Sequence, residues 1–161
     1  MSTFQDSEYD WRDTYFVLFP AANRPSLEAV TERLRQMRTQ YDVANPQANE
    51  EGLFEAMTIR SPDDFSALDV SFIDGEEVIE QRDALLEEFA AADPDELDPR
   101  QVRRLAECDA RFDVMHFAQV MDDVEEDPDA MLDPSALLIV LEELARLTDG
   151  VSIDPQSGMV M

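Results

Sequence analysis

Apolar positions crowd most densely in residues 133–148, where Ala136, Leu137, Leu138, Ile139, Val140, Leu141, Leu144, Ala145 and Leu147 cover well more than one helical face. A helix that is apolar nearly all round is one buried in a core. Asp133 can cap its N-terminus, and Pro134 suits a first turn that needs no N–H partner. Asp149-Gly150 stops it, with Gly150 available for a left-handed cap. Sixteen residues interrupted by Glu142, Glu143 and Arg146 do not span a membrane, so the segment reads as the central core helix.

Working from the N-terminus, residues 1–12 are polar and acidic and read as a loose tail, with Tyr9 and Trp11 able to pin its end. Residues 14–19, rich in aromatic and β-branched residues, read as a strand buried on both faces and hence central. Pro25-Ser26 opens a helix to about residue 40, in which Leu27, Val30, Leu34 and Met37 fall on one face. Residues 41–52, with Asn-Pro, Asn and Gly, read as loop. Residues 53–60 and 67–73 alternate as two strands. The turn chemistry of Ser61-Pro62-Asp63-Asp64 between them argues for an antiparallel pair, and the second strand has one wet face.

After Asp74-Gly75 two readings stand. Residues 76–80 could return as the second arm of a hairpin, or residues 76–91 could form a helix. Val78, Leu85, Leu86 and Phe89 match helical spacing and favour the helix. Asp98-Pro99 starts another helix, ending near residue 109. Residues 111–120 form a strand with Phe112, Val114, His116, Ala118 and Val120 on one face and Met115 and Phe117 on the other, which implies an inner position. Residues 151–161 read as strand, turn, strand around Asp154-Pro155 and Gly158. The expected order is β-α-β-β-α-α-β-α-β: an α+β two-layer sandwich, with a mixed sheet of about five strands and helices on one face. Residues 13–161 then make a single domain, with no internal repeat and no linker to divide it.

Charge changes the picture. Twelve basic residues, all arginine, face thirty-eight acidic ones, for a net charge of −26. Such a balance disfavours direct contact with nucleic-acid phosphates, which needs a basic footprint. It fits either a salt-adapted habitat or a protein that meets a basic partner. The 44% hydrophobic content argues against global disorder. With Cys108 the only cysteine there is no intrachain disulfide. No basic-then-apolar leader opens the chain, and no apolar run spans a bilayer, so the expected location is cytoplasmic.

Motifs for chemistry are sparse. His116 is the only histidine, so a catalytic dyad would need it beside Cys108 or a serine, and nothing in the spacing brings them together. The acidic run Asp122, Asp123, Glu125, Glu126, Asp127, Asp129 and Asp133 lacks the central Gly of a calcium loop and contains Pro128. Gly52, Gly75, Gly150 and Gly158 stand isolated, without a phosphate-cradling pattern. Neither a cofactor nor a metal site can be read from the chain.

The expected function is a non-catalytic, acidic, partner-binding protein. Its partner would be a basic protein or a second copy of the chain, with no direct nucleic-acid or membrane contact. The candidate partner-binding residues are Asp122, Asp123, Glu125, Glu126, Asp127 and the apolar Met159 and Met161. Arg33, Arg35 and Arg38 form a candidate anion site, since the guanidinium fork suits anions. The alternative is a small cofactor-independent enzyme working through carboxylates and arginines.

Overall fold

A computed structural model of the chain describes residues 9–37, 41–61, 66–91, 98–119 and 135–154. Its fold is α+β, as expected: one sheet of six strands with four helices. The strands are β1 (Tyr9–Phe19), β2 (Asp42–Ala48), β3 (Phe54–Ser61), β4 (Ser66–Asp74), β5 (Ala110–Gln119) and β6 (Val151–Ile153). The helices are α1 (Leu27–Arg35), α2 (Glu76–Ala91), α3 (Pro99–Ala106) and α4 (Ser135–Thr148), and a 3-10 turn lies at Ala21–Asn23. The helical reading of residues 76–91 holds.

The sheet is ordered β2-β3-β4-β5-β1-β6, and every neighbouring pair is antiparallel rather than mixed. The interleaving of strands and helices pointed to parallel pairs for a concrete reason. β5 and β6, joined through α4, do run in the same direction, but β1 lies between them and is antiparallel to both. The crossover connection is present, and the parallel ladder it normally makes is replaced by an intercalated strand.

The sixth strand is β2, in the stretch expected to be loop. It is an exposed edge strand paired, among the described residues, only with β3, and its register shifts twice around Asn45-Pro46, where Asn45 takes a positive φ of 51°. β2 buries no face, and bulges and proline blunt such an edge against further pairing, so its sequence carries turn residues instead of an alternation. β1 also starts earlier than residue 14. Tyr9–Arg12, expected in the tail, are strand, with an irregularity between Trp11 and Asp13. β4 lacks the wet face expected of it. Ser66–Val70 are all buried, and Asp69 is accommodated by accepting a 2.7 Å hydrogen bond from the Thr58 hydroxyl.

Alternation along β1 divides the core in two. Val17 and Phe19 join Phe54, Ile59, Val70, Phe112 and Val114 of the sheet with Val30 and Leu34 of α1 and Leu137, Val140, Leu141 and Leu144 of α4. This is the expected sandwich layer. Leu18, with Val151 and Ile153 of β6, faces the other way, against Val78, Leu85 and Phe89 of α2 and Leu105 and Cys108 at α3. The helices therefore cover both faces, not one, with α2 and α3 on the β4-β5-β1-β6 side of the second face.

The first cluster centres on Phe112, which has no solvent exposure. Its ring lies 4.7 Å from that of Phe19 and 5.3 Å, edge-on, from that of Phe54. Arg24 closes this end, its guanidinium 3.8 Å from the Phe72 ring centre and donating twice to the Phe54 carbonyl.

The end of α4 departs from expectation in an informative way. The left-handed residue is Asp149 (φ 54°), not Gly150. Gly150 is required for a different reason: a Cβ there would sit 2.5 Å from the Leu18 carbonyl oxygen and 2.9 Å from the Thr148 hydroxyl. The backbone of the α4–β6 turn lies directly on β1.

Two measurements of urea unfolding check this account. Phe112→Ala is expected to cost about 3–5 kcal/mol, the range for emptying an aromatic core site. At the turn the two neighbours should differ in sign. Gly150→Ala destabilises by roughly 1–3 kcal/mol through backbone overlap. Asp149→Gly stabilises by up to about 1 kcal/mol through relief of the left-handed strain. A stabilising Gly150→Ala would contradict the close approach to β1.

Candidate functional site

β6 is the last strand of the sheet, and among the described residues nothing pairs with its outer edge. Its three residues pair with Leu18, Val17 and Phe16 of β1 on the inner side. α4 packs against it from one face of the sheet and α3 from the other. Two helices flanking a strand edge leave a groove, and the structure has one of about 600 Å³. It is lined by Gln101 and Arg104 of α3, by Leu138, Leu141 and Glu142 of α4, and by Gly150–Ser152 at its floor.

Each wall follows from local sequence. Asp98 caps α3 by accepting from the Arg100 N–H, with Pro99 in the first turn, and this sends Gln101 and Arg104 toward β6. α4 turns Leu137, Val140, Leu141 and Leu144 inward. Its surplus apolar positions do not go into a core: Leu138 is 46% exposed and Ile139 38%. The expectation of a helix buried nearly all round is corrected here. Only the face toward the sheet and α1 is covered, and Leu138 lines the groove.

The groove carries both charges, already paired. Arg146 meets Glu142 at 2.6 Å and Glu143 at 3.5 Å, and Arg104 meets Asp149 at 3.5 Å. These pairs are largely solvent-exposed, and such pairs contribute only about 0–1 kcal/mol each, so an incoming charged group can exchange with them.

The candidates named from sequence fall out as follows. Asp122, Asp123, Glu125, Glu126 and Asp127, and Met159 and Met161, lie outside the described residues. Of the proposed anion site, Arg33 is paired with Glu143 at 3.3 Å and Arg35 with Glu32 at 3.7 Å, while Arg38 lies outside the described residues. The two placed arginines thus face carboxylates on different helices, α4 and α1.

Cys108 and His116 are on opposite sides of the sheet. Cys108 belongs to the α2–α3 core, where burial raises its thiol pKa to about 12, and it donates to the Arg104 carbonyl. A thiol held protonated is a poor nucleophile. His116 shares the opposite face with Val114. Its Nδ1 lies 3.2 Å from Asp13 Oδ1. Ser66, on the adjacent strand and the same face, is its diagonal neighbour through the Leu68–His116 and Ser66–Ala118 pairs. Yet His116 Nε2 and the Ser66 hydroxyl are both buried without a hydrogen-bond partner, so they do not bond to each other. The row Ser66, His116, Asp13 lacks the nucleophile–base hydrogen bond of a catalytic triad.

A residue absent from the sequence-based candidates, Arg111, is a heavily bonded cation. Arg111, 7% exposed, donates to Asp113 at 2.6 Å, Gln81 at 2.7 Å and Glu77 at 3.0 Å, and its guanidinium lies 5.1 Å from the Phe16 ring centre. With its donors committed and a ring beside it, it is a fastener between β5 and α2 rather than an anion site. The available signal was an arginine two residues from Asp113 within a strand whose neighbours Ala110, Phe112 and Val114 are apolar.

Among the described residues no group of three or more His, Cys, Asp or Glu is placed to hold a metal, and no helix is long and apolar enough to cross a membrane.

The His116 geometry sets a pH dependence. Burial lowers its pKa below 6.5, with Asp13 opposing and Arg12 adding to the effect. The unfolded chain therefore binds this proton at higher pH than the folded one. The resulting stabilisation is complete above pH ~6.5 and is lost as pH falls through the window below it. Wild type should lose stability between pH 7.5 and about 5.5, above the carboxylate range, and His116→Gln should lose less. Equal losses measured by urea unfolding would remove the assignment. No protein-family model, no curated protein and no solved structure matches the chain.

Proposed function

We propose that the protein is a non-catalytic interaction protein whose partner is a basic protein. The observation that supports this most directly is the disposition of charge on the folded chain. The few arginines that would offset a net charge of −26 are largely engaged in intramolecular pairs. Arg33, Arg35, Arg82, Arg104, Arg111 and Arg146 are in ion pairs, and Arg24 and Arg103 donate to backbone carbonyls. Carboxylates remain outward in excess. On α2 Glu76, Glu80, Glu87 and Glu88 are exposed, besides the Glu77 and Asp83 that pair with Arg111 and Arg82. A surface of this kind raises the local concentration of positively charged macromolecules and speeds their association.

The test is affinity capture from the protein's own organism at low salt, followed by reconstitution of the captured protein in purified form by calorimetry. The expected result is one stoichiometric basic protein whose affinity falls as ionic strength rises through the range where the Debye length drops below about 8 Å. Absence of any stoichiometric partner at low salt, or a partner whose affinity ignores salt, overturns the reading.

A further inference from the structure

We infer that the groove along β6 is a strand-addition site, which accepts an extended, basic segment of the partner protein with apolar side chains at alternate positions. The inference rests on the partner-binding reading above and assigns it a place. Three independent features of the groove converge on an extended chain as occupant.

The first is the floor. Among the described residues β6 is the outermost strand and nothing pairs with its outer edge, and a strand with one side paired presents backbone donors and acceptors on the other. An added strand satisfies them through a ladder that needs no particular side chain. The opposite edge of the sheet, β2, is a poor competitor, since its register shifts and Pro46 interrupt any regular ladder.

The second is the wall. Side chains of an added strand alternate between the two faces of the sheet. Those on the α4 face meet Leu138, 46% exposed and left over after the inward face of α4 is filled. A partner with apolar residues at every second position covers it. The residues between them point to the α3 side, toward Gln101, Arg104 and Asp149.

The third is charge. The wall pairs Arg146–Glu142 and Arg104–Asp149 are exposed enough to be exchanged, and the chain as a whole carries −26. Arginines of an incoming segment, which face the α3 side, take over Asp149 in a field that favours cations. Acidic peptides, anionic lipid surfaces and a second copy of this chain are opposed by the same field. The volume of about 600 Å³ lies inside the roughly 300–1,000 Å³ range of sites that bury a ligand.

The experiment is a fluorescence-polarisation titration with three labelled hexapeptides. One alternates Arg and Val, one alternates Glu and Val, and one is the Arg-Val peptide with its central Val replaced by Pro. Each is titrated with wild type, Leu138→Ser and Ile139→Ser. Both substitutions are at exposed positions of α4, and only Leu138 lines the groove, so thermal midpoints should stay together and report that all three proteins fold.

The Arg-Val peptide should bind wild type and Ile139→Ser alike. Leu138→Ser should weaken it by about tenfold, the loss expected when part of a leucine contact is removed. The Pro peptide should bind at least about tenfold more weakly, because proline removes a ladder donor, and the Glu-Val peptide should not bind. If the two basic peptides bind equally well, and equally to all three proteins, attraction is diffuse over the acidic surface. The strand-addition site is then overturned while the partner-binding reading stands. If neither basic peptide binds any of the proteins at low salt, both fall once affinity capture also returns no basic partner; if capture succeeds, only the groove assignment falls.

Discussion

Burial of β1 on both faces is the constraint on which the rest of the structure depends. Val17 and Phe19 look to one side and Phe16 and Leu18 to the other, and the strand has a neighbour on each edge. No single layer of helices can cover a strand of this composition. α1 and α4 close one face and α2 and α3 the other, and the close approach of Gly150 to the Leu18 carbonyl lays the last turn of the described chain against the same strand. The intercalation of β1 between β5 and β6 also makes the sheet antiparallel throughout. It holds apart two strands that run the same way, and each then finds an antiparallel partner in it.

The second organising feature is how few cations the chain has and where they go. Arg111 ties β5 to α2 through Asp113, Gln81 and Glu77, and Arg24 ties the loop before α1 to β3 and the Phe72 ring. Both are nearly enclosed by partners, where a charge-assisted hydrogen bond contributes more than it does at the surface. The remaining pairs, such as Arg146–Glu142 and Arg104–Asp149, lie in the open and are readily exchanged. Structural and exchangeable pairs therefore occupy different places: the former at junctions between elements, the latter around the groove at the β6 edge. That separation leaves the charges around the groove open to exchange without drawing on the contacts that hold the fold.

The sequence by itself determined those elements whose signal is local. The helices around Val30–Leu34, Val78–Phe89 and Leu137–Leu144 and the strands built on Val17, Ile59, Val70 and Phe112 are all written in short periodicities, because each has a face that must leave water. The antiparallel pairing of β3 with β4 followed from the short connection between them. The caps at Ser26 and Asp98 were legible for the same reason, since a side chain and an N–H two or three residues away suffice.

Only the tertiary structure decided what depends on residues far apart in the chain. β2 is a strand because β3 lies beside it, and an edge with no buried face leaves no alternation to read. Leu138 and Ile139 look like core by composition, yet α4 has covered neighbours on one side only, so both stay exposed. Gly150 looks like a helix cap, but the left-handed residue is Asp149 and the glycine answers to a carbonyl on β1. The groove itself had no sequence signal, since α3, α4 and β6 meet there only after the sheet has ordered them. Burial, pairing and close approach are properties of what a residue ends up beside, and periodicity along the chain reports only which side of an element turns away from water.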